Sequence, residues 1–387
     1  FINPKKKITI KEHTFLCATT LTYFFIDIMV KKSKSNFKLY DYFIYVLLAT
    51  ICDVMPLRKI NKIIARNAIN NFNVKNNKAL CLIFDQYKLK KKITVDDLGF
   101  LIGPIINAGG RLNQSKYGVE LLSSENQKII KDRLLKLIDL NNKRKIIEQR
   151  ILDEIDFEKI KNENKNVIIY YQNNLNEGLI GIIASRLKDY FNKPSIVITA
   201  SKDKLKGSAR STTNYNIGSV IKKLIDKKLI EKGGGHNMAA GFSMKKDKLK
   251  DLESFVLKDF AFKNKRLSFK NTYDAEISPN AINKEFLDEI NKIGPFGNGN
   301  PIPIFLIKNL KVVKVKTIGN KHINVIFKTK VGKFIKSICF NSVNTKLGDC
   351  LLSHKKEVNV IAQINENYWN NNKILQLNIK DLFIELN

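Results

Sequence analysis

The sequence is short of acid, of cysteine patterning and of long apolar runs. Only 36 of its 387 residues are Asp or Glu, against 68 Lys or Arg, so the formal net charge is +32. The five cysteines (Cys17, Cys52, Cys81, Cys339, Cys350) are odd in number and form no Cys-x-x-Cys pair. That excludes a disulfide frame and a zinc site, and predicts reduced thiols in a cytoplasmic protein. No run reaches the roughly 18 apolar residues of a membrane span. The longest candidates, 14–30 and 42–57, are broken by Asp27 and Asp53. A Gly-X-Y period, heptads and internal repeats are also missing, which removes fibrous classes, and no secretory signal is visible. The first residue is Phe rather than Met, from which we expect a chain that starts downstream of its translation start.

What is present is a globular balance, with 44% hydrophobic and 27% charged residues. At roughly 150 residues per domain this suggests two or three domains. Part of the cation excess is compositional, since the chain is rich in Lys, Asn and Ile. The remainder is a field that attracts phosphate backbones, so a nucleic acid is the leading partner.

Residues 1–95 read as apolar and helix-rich, with helical spacing over 59–72. Residues 98–112 (LGFLIGPIINAGGRL) read as turn-rich, and 125–165 as an exposed connecting helix or helix pair. Strand-like runs at 166–172, 194–200, 204–211 and 238–244 alternate with helices expected to be capped by Asn176 and Asn216. This βαββαβ order predicts a compact α/β domain. After a helix at 280–293, five β-rich runs between 303 and 384 predict a small barrel of the OB type.

Five places can carry chemistry. Asp53 ends an apolar run just before Pro56, at an element end where a carboxylate caps, pairs or binds a cation. GPIINAGGRL places Asn107 and the planar fork of Arg111 among glycines. GSAR puts Ser208 and Arg210 on one side of a strand, spaced to hold a phosphate oxygen. GGGHNMAAG combines Gly233, Gly234 and Gly235, whose N–H groups suit an anion nest, with His236 as a donor. PFGNGNP (295–301) reads as a rigid linker. Within the barrel, Tyr368 and Trp369 are the better base-stacking candidates.

Taken in order, LATICDVMPL, GPIINAGGRL, EGLIGIIASRL, GSARS, GGGHNMAAG and IGPFGNGNPIPIF ahead of a barrel ending in LQLNIKDL resemble the RecJ family, single-strand-specific 5′→3′ exonucleases of the DHH phosphoesterase superfamily. The resemblance implies an α/β multidomain chain. Its parts would be the C-terminal part of a DHH phosphoesterase core (1–124), a connecting helix region (125–165), an α/β DHH-associated domain (166–264) and a C-terminal OB-fold β-barrel (267–387). It implies metal-dependent phosphodiester hydrolysis in DNA repair and recombination, with two Mn2+ or Mg2+ ions. Asp53 would be a catalytic metal ligand. Asn107, Arg111, Ser208, Arg210, Gly233, Gly234, Gly235 and His236 would hold the backbone and 5′ phosphate of single-stranded DNA. A single-strand-binding protein or a helicase would be the protein partner, and no membrane is involved.

Two departures stand out. The family's DxD and Asp-His-His motifs, which supply most metal ligands, do not occur, so the chain is expected to be an N-terminally truncated form with little activity alone. The rival expectation is a non-catalytic single-stranded nucleic-acid-binding protein of the same fold. Ile105 also stands where many relatives carry Arg.

Overall fold

The computed structural model describes residues 15–264, 272–353, 357–369 and 372–384. Its helices in chain order are α1 (Ala18–Lys32), α2 (Phe43–Cys52), α3 (Lys59–Asn71), α4 (Lys78–Gln86), α5 (Gly103–Arg111), α6 (Lys116–Ser123), α7 (Gln127–Glu154), α8 (Phe157–Asn162), α9 (Ile180–Phe191), α10 (Ile217–Asp226), α11 (Leu249–Asn264), α12 (Lys284–Lys292) and α13 (Lys346–Ser353). The strands are β1 (Ile168–Tyr171), β2 (Ser195–Ser201), β3 (Lys204–Arg210), β4 (Lys232–His236), β5 (Ala239–Met244), β6 (Ala275–Ile277), β7 (Phe305–Ile318), β8 (His322–Lys328), β9 (Phe334–Cys339), β10 (Glu357–Trp369) and β11 (Asn372–Phe383). Among the described residues no helix is long and apolar enough to cross a membrane.

The chain divides into two compact units, 1–72 with 93–99 and 269–387, and 73–92 with 100–268. In the first, β7, β8, β9, β11 and β10 pair in that order, and β10 returns to β7, which closes a five-stranded barrel. The alternation legible in the sequence sends Val325, Phe327, Ile335, Val360, Leu377 and Ile379 inward to one core. Closure leaves no free edge among those five strands. The PFGNGNP turn packs against the segment after α2 in the same unit. Asn298 Nδ2 donates to Val54 O at 2.5 Å, Leu57 N donates to Asn298 O at 2.6 Å, and Arg58 Nε donates to Gly299 O at 2.7 Å. Arg66 Nη2 reaches Lys292 O at 2.7 Å and Gly294 O at 2.8 Å.

In the second unit a mixed sheet runs β1-β2-β3-β5-β4. One face, with Ile196, Ile198, Leu205, Ala209 and Phe242, packs on α10 and α11. The other face meets α9 through Val197 and Ile168. Asn216 caps α10 by accepting from Ser219 N. Asn176 instead accepts from Gly178 N two residues on, and α9 begins only at Ile180, so Asn176 makes an Asx turn and not the cap.

Two further expectations are corrected. The glycine-rich 98–112 stretch is helical, a π turn at Asp97–Ile102 running into α5. Its glycines serve packing, since a Cβ on Gly109 would lie 2.4 Å from Gln114 O and 3.3 Å from Leu137 on α7. Helix α7 is not simply exposed either; it buries Ile130, Leu134, Leu137, Leu140 and Ile151.

Behind the sheet, fully buried Tyr215 donates to Asp259 Oδ2 at 3.2 Å, and Lys223 and Lys263 each reach that carboxylate at 2.8 Å. Burial raises the Asp259 pKa, but hydrogen bonds from Lys223 and Lys263 outweigh it and hold the carboxyl below its ordinary range. Asp259→Asn is therefore expected to cost about 1–3 kcal/mol at neutral pH. A depressed carboxylate stabilises above its unfolded pKa, so the deficit should begin to shrink below about 4 and be lost as pH falls through the lower folded value. Urea unfolding at about pH 7 and about pH 3 checks this; an undiminished deficit in acid would show that the charge of Asp259 contributes nothing.

Candidate nucleic-acid interface

Register places three rows of residues across β3, β5 and β4. Lys206 faces Ser243 and then Lys232; Ser208 faces Gly241 and then Gly234; Arg210 faces Ala239 and then His236. Cross-strand partners share a face, and this face is the one opposite the α10 core. Helix α9 contacts it over β2 and β3. Beyond that helix lies a cleft of about 620 Å³, lined by Arg111, Glu177, Lys206, Ser208, Arg210 and Lys232 with the glycine floor and the first turn of α9.

The cleft is built by close approach. A Cβ on Gly181, in the first turn of α9, would lie 3.0 Å from both Arg210 Nη2 and Ser208 Oγ. Arg210 Nη1 donates to Ser208 Oγ at 3.3 Å and to Ala209 O at 2.9 Å. From the end of α5, Arg111 Nη1 donates to Gly178 O at 3.1 Å. Burial, then the neighbouring Arg144, lowers the Arg111 pKa; burial, then Arg111, lowers that of Arg210. Both guanidiniums stay protonated. Both side chains are half-buried and line the same cleft.

Among the described residues no ion pair joins Arg111, Arg210 or Lys232 to a carboxylate. Glu177, 3.6 Å from Lys206, is the one acid lining the cleft. Four cations against one carboxylate, beside a helix N-terminus, make a site for an anion.

The glycine triplet works differently from the expectation. None of its φ angles is positive, and the residues form β4, extended and paired with β5. A nest needs alternating backbone hands, so it does not form. A Cβ on Gly233 would meet Ile221 at 2.9 Å, and one on Gly235 would meet Ala239 O at 2.3 Å, whereas Gly234 has nothing within 4 Å. The outer two glycines answer to packing, and the middle one leaves the cleft floor bare. His236 is exposed and lies outside the cleft lining, with Nδ1 accepting from Met238 N at 3.3 Å. Asn107 is exposed one helical turn before Arg111. Ile105 is fully buried and faces the helix core.

Asp53 lies in the other unit, exposed at the C-terminus of α2, with its N–H bound to Ala49 O at 2.9 Å. Val54 follows with φ 54°, costly for a β-branched residue. Among the described residues no group of three or more His, Cys, Asp and Glu is placed to hold a metal. One carboxylate does not make a two-cation site, so Asp53 alone does not fit the expected metal pair. The side chains of Tyr368 and Trp369 lie outside the described residues. Sequence reasoning missed Lys206, Lys232 and Gly181. The first two share a period-2 face with Ser208 and Gly234, which is a usable signal; Gly181 becomes visible only through tertiary approach.

Comparison with known proteins follows the same division. The family model of the DHHA1 domain matches residues 164–261, and that of the RecJ OB domain matches 273–381. The chain is 30% identical over 367 residues to the single-stranded-DNA-specific exonuclease RecJ of Haemophilus influenzae, covering 91% of this chain and 63% of that protein. Against RecJ of Escherichia coli K12 the figures are 29% over 360 residues, 87% and 60%. Against Bacillus subtilis RecJ they are 28% over 345 residues, 86% and 43%. The chain thus spans less than two thirds of these relatives. In fold it is similar to the RecJ of Thermus thermophilus in complex with Mg2+, with TM-score 0.78, 20% identity, and coverage of 99% of this chain and 57% of that one. The Mn2+ complex gives TM-score 0.74, 22% identity, 92% and 52%.

Two variants separate packing from ligand space. Gly235→Ala overfills the α10 side and should cost about 1–3 kcal/mol in thermal unfolding. Gly234→Ala should keep stability, or add up to about 0.5–1 kcal/mol as the chain loses unfolded freedom, while weakening phosphate binding in a calorimetric titration.

Proposed function

Because the chain is a RecJ-like protein, carrying a DHHA1 domain and a RecJ OB domain, we propose that it binds single-stranded DNA and forms the strand-holding part of a 5′→3′ exonuclease. The carrying observation is the pair Arg111 and Arg210, half-buried beside Ser208 without a carboxylate partner. In this reading a backbone or 5′-terminal phosphate supplies the missing negative charge. Its oxygens accept from the two guanidinium forks and from the Ser208 hydroxyl, and the α9 N-terminus adds its partial charge. Lys206 and Lys232 flank the next stretch of backbone, and the barrel guides the strand. A single-strand-binding protein or a helicase would present that strand.

Divalent-metal hydrolysis belongs to the proposal for the whole enzyme, with Asp53 as one ligand. Mg2+ and Mn2+ accompany the two Thermus structures. Bound cations would activate a water and stabilise the leaving oxygen. What the residues of this chain do is bind and orient: fixing the phosphate sets which bond meets the reacting centre.

Anisotropy titrations with single-stranded DNA across a range of salt test the clamp. Arg210→Ala should weaken binding and reduce the salt dependence by about one phosphate contact, a slope change near 0.7 on a log–log plot; an unchanged slope removes Arg210 from the backbone contacts. Incubation of the purified 387-residue chain with manganese and labelled single-stranded DNA should give binding with little or no degradation. Sustained exonuclease turnover by this chain alone would overturn the division into a strand-holding part and separately supplied metal ligands.

A further inference from the structure

Phe100 is the most exposed of the large apolar side chains among the described residues, at 83%. It sits in the π turn Asp97–Ile102 that runs without a break into α5. A π turn widens the helix and re-aims its side chains, and such turns recur at functional sites. A single exposed aromatic ring is ordinary, so Phe100 marks a site only where its neighbours supply a reason.

The helix face supplies that reason. Asn107 lies seven residues on and Arg111 eleven. At about 100° per residue both project within about 20° of the direction of Phe100, and the wider turn swings Asn107 to roughly 60–70° from it and Arg111 to at most about 35°. Burial follows the same division: Phe100 and Asn107 are exposed and Pro104 and Arg111 half-exposed, while Ile102, Ile105, Ala108 and Gly109 are buried behind them. One continuous face therefore carries an aromatic ring at one end, an amide in the middle and the unpaired guanidinium of the cleft at the other. At 1.5 Å per residue the ring stands about 16 Å from Arg111 along the axis.

We infer that Phe100 is a base-stacking platform for a single strand whose phosphate is held at Arg111. The inference rests on the anion-cleft reading above and extends it to a residue outside that cleft. A strand anchored at Arg111 and running along this face spans the distance in at most about five nucleotides at a stacked 3.4 Å spacing, fewer when extended. Asn107 offers donors and an acceptor to the strand on the way. An aromatic face accepts any base, so the contact is sequence-tolerant. The cation excess of the chain suits a polyanion and disfavours a basic or uncharged peptide on this face.

The test uses the full chain and two ligands, a 5′-phosphorylated thymidine dinucleotide and a 5′-phosphorylated oligothymidylate of about ten nucleotides, chosen to reach past the ring. Phe100→Ala should leave dinucleotide affinity and thermal stability unchanged and weaken the longer strand about tenfold, the scale of one lost base–aromatic stack. Phe100→Tyr should restore it. In Phe100→Trp the longer strand, and not the dinucleotide, should quench the indole fluorescence beyond the change that Trp369 shows in the wild-type chain. Equal affinity of wild type and Phe100→Ala for the longer strand overturns the inference, as does a loss shared by both ligands, which would mean that Phe100 acts through the cleft or the fold. Failure of wild type to bind either ligand would sink the cleft reading and this inference together, and is distinguished by the dinucleotide arm.

Discussion

Two guanidiniums that share a half-buried place with no carboxylate between them set the logic of this protein. Elsewhere in the described structure three arginines meet carboxylates. Glu148, nearly inaccessible, accepts from Arg144 at 2.8 Å and from Arg186 at 2.7 Å. Arg133 pairs with both Glu120 and Asp132. Arg66 and Arg58 finish their donors on backbone carbonyls. Arg111 has only Gly178 O, and Arg210 only Ser208 Oγ and its own strand. Like charges in a partly desolvated place repel by amounts that scale inversely with a local dielectric far below that of water. Such an arrangement is held together by the packing of α5 on α7 and of α9 on the sheet, and an arriving anion relieves it. What sets these two apart from a generally basic surface is their place, half-buried in one glycine-floored cleft.

The same packing explains the glycines. A fold that brings α9 down onto Ser208 and Arg210 needs Gly181, and one that lays an edge strand over α10 needs Gly233 and Gly235. Gly234 and Gly241 meet no such demand, the nearest atom to a Cβ at 241 being Gly207 O at 3.8 Å. Their lack of side chains keeps the middle row of the sheet low between Lys206 and Lys232 on one side and Arg210 on the other. Charge and bare floor thus come from the same register, because a one-residue slip of β4 would exchange Gly234 for a neighbour and turn Lys232 towards the α10 side.

The barrel was readable from the chain alone, since period-2 alternation in β7 to β11 carries its own burial instruction. So were four strands of the α/β sheet, all but β4, and the cap at Asn216. The misreadings share a cause. Both GPIINAGGRL and GGGH look locally like irregular backbone, because glycine and proline usually punctuate. Their conformations are decided by partners far along the chain: Leu137 on α7 for the first, and Ala239 to Phe242 on β5 for the second. Local propensity gives way to tertiary contact at both. Ser208 and Arg210 could be found because two residues on a strand point the same way. Phe100 could not, since its exposure depends on a π turn that no local pattern in the sequence announces.

Charge acts at two ranges here. Many described acids are already engaged by lysines, as in the pairs Lys31–Asp27, Lys143–Asp139, Lys204–Glu231 and Lys308–Glu276. Since there are 68 basic residues to 36 acidic ones, pairing cannot consume the excess. The surplus lysines give a diffuse attraction that salt screens over about 10 Å at 0.1 M. They raise the encounter rate with any polyanion without selecting one. Selection comes from the half-buried forks, where screening is weak and geometry favours oxygens fixed at hydrogen-bonding distance. A compositional drift toward lysine would leave the first effect and not the second. The placement of Arg111 and Arg210, rather than the net charge, is therefore the stronger reason to read this chain as one that holds a phosphate backbone.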